Sequence, residues 1–351
     1  DPAIREIAQL QQLLLSSSLD GPLEPAAQTF LAVAASRRKE GHRHYEGIAL
    51  VNAAVIFRAI GSTSQARTAA EGALDALEAS SAGPERASAR LVLAWALAHD
   101  GDVIDARLEV EQARIEGGTA AGIEISLELA DLETWYGDST RAQVVLDSLP
   151  SPEFMHPDQA EQRQLAEDAL ALRKGRGVSH FHLYRFGHSS TAAAMEARRM
   201  SQRAHSAVIR NDAAAEEYLR QARAHAESQG AGFWVNYISV LETLTLDGDA
   251  VDVALSSSLD RAPAYVGIHA EATLSRFPLL STDTLVGLER TVRRSPCRWR
   301  ETLRAEVRRP GPAKGSRLWA GRRLDVIGER QDILPLRKLA KAIQTSASTV
   351  G

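Results

Sequence analysis

Apolar residues recur every three or four positions along most of this chain. Ile48, Val51, Val55, Ile56 and Ala59 fall on one face of a helix, as do Leu91, Ala94, Trp95 and Ala98. Ile125, Leu129, Leu132 and Tyr136 repeat the pattern. Alternating runs of Val, Ile and Thr between tight turns, the mark of strands, do not occur. Breakers punctuate the helices at Gly21-Pro22, Gly83-Pro84, Gly117-Gly118, Pro150-Ser151-Pro152, Gly175-Arg176-Gly177, Ser295-Pro296 and Pro310-Gly311-Pro312. The pattern predicts an all-α chain of about 17 helices of ordinary length.

The turns between helices resemble one another. Gly61-Ser62-Thr63-Ser64-Gln65-Ala66, Gly101-Asp102-Val103-Ile104-Asp105-Ala106 and Gly137-Asp138-Ser139-Thr140-Arg141-Ala142 are spaced by 40 and 36 residues. The glycine can end one helix in the left-handed conformation, and the Ser or Asp after it can cap the next. Small residues stand seven positions before each glycine (Ala54, Ala94, Ala130) and five after it (Ala66, Ala106, Ala142). Ala73 and Ala113 stand twelve positions after the first two. Small residues at matched positions let two antiparallel helices approach closely. Asn211-Asp212 with Ala215, Leu219 and Ala222 repeats the unit with a shorter turn, and Gly248-Asp249 repeats it faintly.

These residues resemble the tetratricopeptide repeat, a helical hairpin with small residues in both helices around a Gly-Asp turn. The resemblance is clear over 48–150 and extends over 190–262. Leu318, Leu324, Ile327, Gly328, Asp332, Ile333, Leu336 and Leu339 look closer to a HEAT-type pair. The resemblance implies an α-solenoid of antiparallel hairpins: a TPR-like array over 1–174, an irregular connection over 175–188, and a degenerate, partly HEAT-like array over 189–351. One such hairpin cannot bury its apolar face alone, whereas a stack can, and its concave face suits a protein, a peptide or a small effector. Arrays of this kind occur as sensor or interaction segments of large bacterial transcription regulators. By that analogy the chain is a cytoplasmic regulatory segment whose output domains lie outside it. The start at Asp1-Pro2-Ala3 and the end at Thr349-Val350-Gly351 agree with a segment of a longer protein.

Composition adds exclusions. Hydrophobic residues make up 44% and charged residues 25% of the 351, which excludes a disordered or fibrous chain. No apolar run reaches the ~18 residues of a membrane span, so no membrane partner is expected. The single cysteine, Cys297, excludes an internal disulfide and a Cys-based zinc site. A Gly-x-x-x-x-Gly-Lys-Ser/Thr loop, a Gly-x-Ser-x-Gly elbow and a His-Glu-x-x-His pair are all missing, so neither an enzyme nor a cofactor is expected.

Charge is uneven. Residues 1–174 carry a net −12, whereas 290–323 carry +10. The basic stretch, with Arg293, Arg294, Arg298 and Arg300, is either a solvated helix face or a patch for nucleic acid, the second-choice partner. Polar residues on the first helix of each hairpin often hold ligand in repeat proteins, which makes Asn52, Arg58, Arg90, Glu133, Asn236 and Tyr237 candidate groove residues. Phe233-Trp234 could line the same groove, although Trp95, Trp135 and Trp234 read first as core. The aromatic stretch around His180, His182 and Tyr184 is either a plug between two arrays or a loop entering the groove. No carboxylate nearby completes a metal site there. His42-Arg43-His44-Tyr45 reads as an exposed helix start. Leu336 to Val350 reads as an amphipathic capping helix with a superficial resemblance to a helix-turn-helix.

Overall fold

The computed structural model describes residues 23–242, apart from 81, 100–101, 174–175 and 179–191, together with 325, 341 and 344. Eleven α-helices and no strand occur among the described residues. They are α1 (Leu23–Lys39), α2 (Arg43–Ile60), α3 (Thr63–Ala76), α4 (Gly83–His99), α5 (Val103–Gly117), α6 (Gly122–Trp135), α7 (Ser139–Ser148), α8 (Pro157–Arg173), α9 (Ala192–Ile209), α10 (Ala215–Ser228) and α11 (Gly232–Glu242). Each helix from α1 to α8 packs on its neighbour in sequence, and α2, α4, α6 and α8 also touch one another in succession.

The turns explain this order. His42, Ser62, Asp102, Asp212 and Ala231 each donate a backbone N–H to the carbonyl five residues back (Arg37, Phe57, Leu97, Ala207 and Ala226), at 2.8–2.9 Å. That bond closes a Schellman turn around a left-handed residue. The left-handed residues are Gly41, Gly61, Asn211 and Gly230, as expected of Gly61 and Asn211; Gly101 lies outside the described residues.

Gly137 departs from the expectation. It does not take a positive φ; the helix ends instead at Tyr136, at φ −124°. The buried Glu133 carboxylate accepts the Asp138 N–H at 2.9 Å, replacing the main-chain carbonyl used at the other turns. A Cβ at Gly137 would sit 2.2 Å from Glu133 Oε2, so this glycine makes room for a carboxylate. Capping differs too. Asp138 accepts from the Thr140 and Arg141 N–H groups as expected, but Ser62 and Asp102 make no cap bond to the helix they precede.

The matched small residues lie where hairpin packing needs them. Ala54, Ala66, Ala73, Ala94, Ala106, Ala113, Ala130 and Ala142 are each at most 1% exposed. Around them, one cluster joins α1 to α4 through Phe30, Phe57 and Leu77. A second joins α4, α5 and α6 through Leu91, Val110 and Ile125, and a third joins α6, α7 and α8 through Leu127, Leu146 and Leu170. Axes that come this close gain contact along their whole length, which a large side chain at those alanines would prevent.

The last three helices do not simply extend the row. α9 packs on α8, and α11 packs on both α10 and α9. α11 also returns to α2, more than 170 residues earlier: a Cβ at Gly61 would lie 2.7 Å from the Phe233 backbone nitrogen, and one at Gly232 would lie 2.9 Å from the Ile60 carbonyl. The Leu23 N–H donates to the Gln229 carbonyl at 3.3 Å, so the α10–α11 turn also meets the start of α1. An open concave face along α2, α4 and α6 was expected from the sequence. In the structure the first turn of α11 meets the ends of α2, α4 and α6 through Phe233, and Arg198 of α9 binds Asp131 of α6.

Candidate functional site

Between α2, α4 and α6 on one side and α9 and α11 on the other lies a cavity of about 270 Å³. α8 reaches it through Gln162. The helices that start each hairpin bring their last turns together there. Arg58 comes from the end of α2, Trp95 from the end of α4, and Trp135 and Tyr136 from the end of α6. Phe233 and Trp234, in the first turn of α11, close the aromatic wall. The rings stand steeply to one another. Trp135 meets Phe233, Trp234 and Tyr237 edge to face, at 6.4, 5.9 and 5.6 Å between centroids, and Trp95 lies 6.3 Å from Phe233.

The charged lining is three carboxylates and two guanidiniums. Glu124, Glu128 and Asp131 repeat at four and three residues, so they form a stripe on one face of α6. Arg58 donates to Glu128 at 2.5 Å and lies 5.9 Å over the Trp95 ring. Arg198 from α9 grips Asp131 with two hydrogen bonds, at 2.6 and 2.7 Å. Its Nε, also buried, has no hydrogen-bond acceptor among the described residues. Glu124 forms no ion pair or hydrogen bond among the described residues; partial desolvation and the nearby Glu128 raise its pKa. His99 stacks on Trp95 at 5.4 Å, with Nδ1 3.2 Å from the Tyr136 hydroxyl. Burial pushes the His99 pKa down to about 4 and the Tyr136 phenol up, so both are neutral at pH 7.

Of the residues expected to line a groove, Arg58 is in the cavity and the others have different places. Arg90 bridges α4 to α5, binding Glu109 at 2.7 Å and Glu116 at 3.0 Å. Glu133 is 2% exposed and is clamped by Arg107 at 2.5 and 2.7 Å, a structural role. Tyr237 is buried, its hydroxyl 2.7 Å from His205 Nδ1. Asn52 and Asn236 are half-buried and outside the cavity lining. The physical reason is rotation about the helix axis. A polar residue on the right helix reaches the cavity only at the right phase, and Arg90, Glu133 and Tyr237 turn toward a partner helix instead. Glu124, Glu128, Asp131 and Arg198 were missed, although the four-and-three spacing of the α6 acids signals a single polar face.

His180, His182, Tyr184, Cys297, Arg293, Arg294, Arg298, Arg300 and the Gly248-Asp249 turn lie outside the described residues. His42 and His44 are exposed at the start of α2, as expected. Among the described residues no group of three or more His, Cys, Asp or Glu side chains could hold a metal ion, and no helix is long and apolar enough to cross a membrane.

Two buried groups make stability depend on pH, with opposite signs. Burial pushes the His205 pKa down to about 4. The folded state therefore holds this ring neutral, and its contribution is present above the unfolded value of about 6.5 and is lost as pH falls through 4. A loss of about 2–3 kcal/mol across that window is expected from His205. In denaturant titrations at pH 7 and pH 4, His205→Gln should remove much of the slope. Glu161 is 6% exposed, and burial raises its pKa to about 7. Its contribution is present below about 4.5 and is lost as pH rises through 7. Glu161→Gln should therefore stabilise the protein at pH 8, by about 1 kcal/mol or more, and have little effect at pH 4. A destabilised Glu161→Gln protein at pH 8 would contradict this assignment.

Comparison of the chain with protein families, with curated proteins and with solved structures returns no match in any of the three.

Proposed function

We propose that this chain is a TPR-like α-solenoid segment that binds a small effector and acts as the sensor of a larger bacterial regulatory protein. One observation carries the reading: the cavity of about 270 Å³ is walled by helices far apart in sequence, α2, α4 and α6 against α9 and α11. A ligand there touches both groups at once, so its binding energy depends on how they sit together. That dependence is what couples a ligand to a conformational equilibrium. The volume lies just below the ~300–1,000 Å³ typical of drug-sized sites and suits a metabolite. A long peptide suits a space of this volume less. The reading contains no catalytic step and needs no cofactor.

Ligand-observed NMR with a fragment panel spanning cations, anions and neutral compounds tests it. Ala59 lines the cavity and is half-buried, so Ala59→Phe should fill the space and keep the helical fold, as checked by circular dichroism. Fragments should bind the unsubstituted protein and lose affinity for Ala59→Phe. The reading fails if no fragment binds, or if binding is indifferent to the substitution. The second reading, nucleic-acid binding through residues 290–323, rests on their net charge of +10 and requires affinity that falls steeply with salt.

A further inference from the structure

We propose that the cavity takes a small organic cation, such as a quaternary ammonium. This inference rests on the reading of the cavity as a ligand site and goes on to name the ligand's chemistry.

Two features of the lining select that class. The first is the surplus of negative charge: Glu124, Glu128 and Asp131 face two guanidiniums, Arg58 and Arg198. Both guanidiniums already hold a carboxylate, so an incoming anion would have to displace Glu128 or Asp131. Glu124 is the carboxylate left over, and a cation meets it without breaking a pair. The second is the wall of steeply inclined rings, Trp135, Tyr136, Phe233 and Trp234. Aromatic faces carry negative quadrupole charge and attract ammonium groups once water is excluded. Arg58 over Trp95 already makes this kind of contact within the site.

Choline and two near-isosteres separate charge from shape: neutral 3,3-dimethylbutan-1-ol and anionic 3,3-dimethylbutanoate. Isothermal titration with the full chain should show choline binding at least about tenfold more tightly than the neutral alcohol. The anion should bind no better than the alcohol. Glu124 is exposed at the cavity, so Glu124→Gln leaves the fold intact. It should weaken choline binding about fivefold and leave the alcohol unchanged.

If the alcohol or the anion binds as tightly as choline, the cation assignment is overturned while the cavity remains a ligand site. If choline does not bind, the assignment is again overturned, and the fragment panel with Ala59→Phe decides separately whether the cavity binds anything. If choline affinity is unmoved by Glu124→Gln, the role given to that carboxylate is overturned.

Discussion

Arg107→Met destabilises the protein by about 3–5 kcal/mol, enough to remove a large share of the stability of an ordinary domain. Glu133 is the reason. Its carboxylate is 2% exposed, at the end of α6, and both its oxygens are committed. Arg107 of α5 donates to the two oxygens at 2.5 and 2.7 Å, and the Asp138 N–H, opening α7, donates at 2.9 Å. Gly137 leaves the space the carboxylate occupies. One side chain therefore ties three successive helices. Methionine keeps most of the volume of Arg107 but leaves Glu133 a buried charge without its counter-ion, which costs more than the pair itself contributes. The double variant Arg107→Met, Glu133→Gln should recover part of the loss, since a neutral amide can still accept the Asp138 N–H. Urea midpoints at constant slope measure both variants. A loss under 1 kcal/mol for Arg107→Met would mean that Glu133 finds water or another donor, and would remove its role as the tie.

Gly61→Ala costs about twice as much as Gly41→Ala, although both glycines end a helix in the left-handed region, at φ +88° and +77°. The shared part is the penalty for a Cβ at positive φ, about 1–2 kcal/mol. At Gly41 nothing lies within 4 Å of the added carbon, so that penalty is the whole effect. At Gly61 the added carbon would stand 2.7 Å from the Phe233 nitrogen and 3.0 Å from its Cβ. Backbone cannot rotate out of the way as a side chain can, so α11 must move off α2. A total of about 3 kcal/mol or more is expected for Gly61→Ala. Hydrogen exchange should then rise in α11 while α3 stays protected, and affinity for any cavity ligand should fall because Phe233 and Trp234 leave the wall. Equal costs at the two glycines would mean that α11 does not rest on the α2–α3 turn.

These two variants probe features of different legibility. The helices, and the hairpins from α2 to α7, were readable from the three-and-four recurrence of apolar residues and from alanines placed at fixed distances from each turn. Such features depend on contacts within about 40 residues of chain, where period and turn chemistry leave direct traces. Gly61 was readable as a left-handed turn for the same reason. Its second role, against Phe233, was not. Gly137 shows the limit from the other side. The same letters, Gly-Asp, occupy the same repeat position, yet the turn closes on a side-chain carboxylate, because Glu133 sits four residues before Gly137 where the other turns have no acid.

The cavity was partly written in the chain. Arg58 was placed in it by its position on a first helix, and the Glu124, Glu128 and Asp131 stripe could have been recognised by its spacing. Arg90, Glu133, Asn236 and Tyr237 sit on helices of the same kind but turn to neighbouring helices or lie off the cavity wall. Arg198 and the aromatic pair at the start of α11 reach the cavity only because α9 meets Asp131 of α6 and α11 returns to the end of α2.

Helical state, hairpin boundaries and the alanine seams are therefore properties of the sequence itself, set by short-range backbone geometry and side-chain size. The return of α11 to α2, the assembly of the cavity lining and the pairing of Asp131 with Arg198 were decided only in the tertiary structure. Residues 61 and 233 meet through the summed rotation of the helices between them, and no local period encodes that sum.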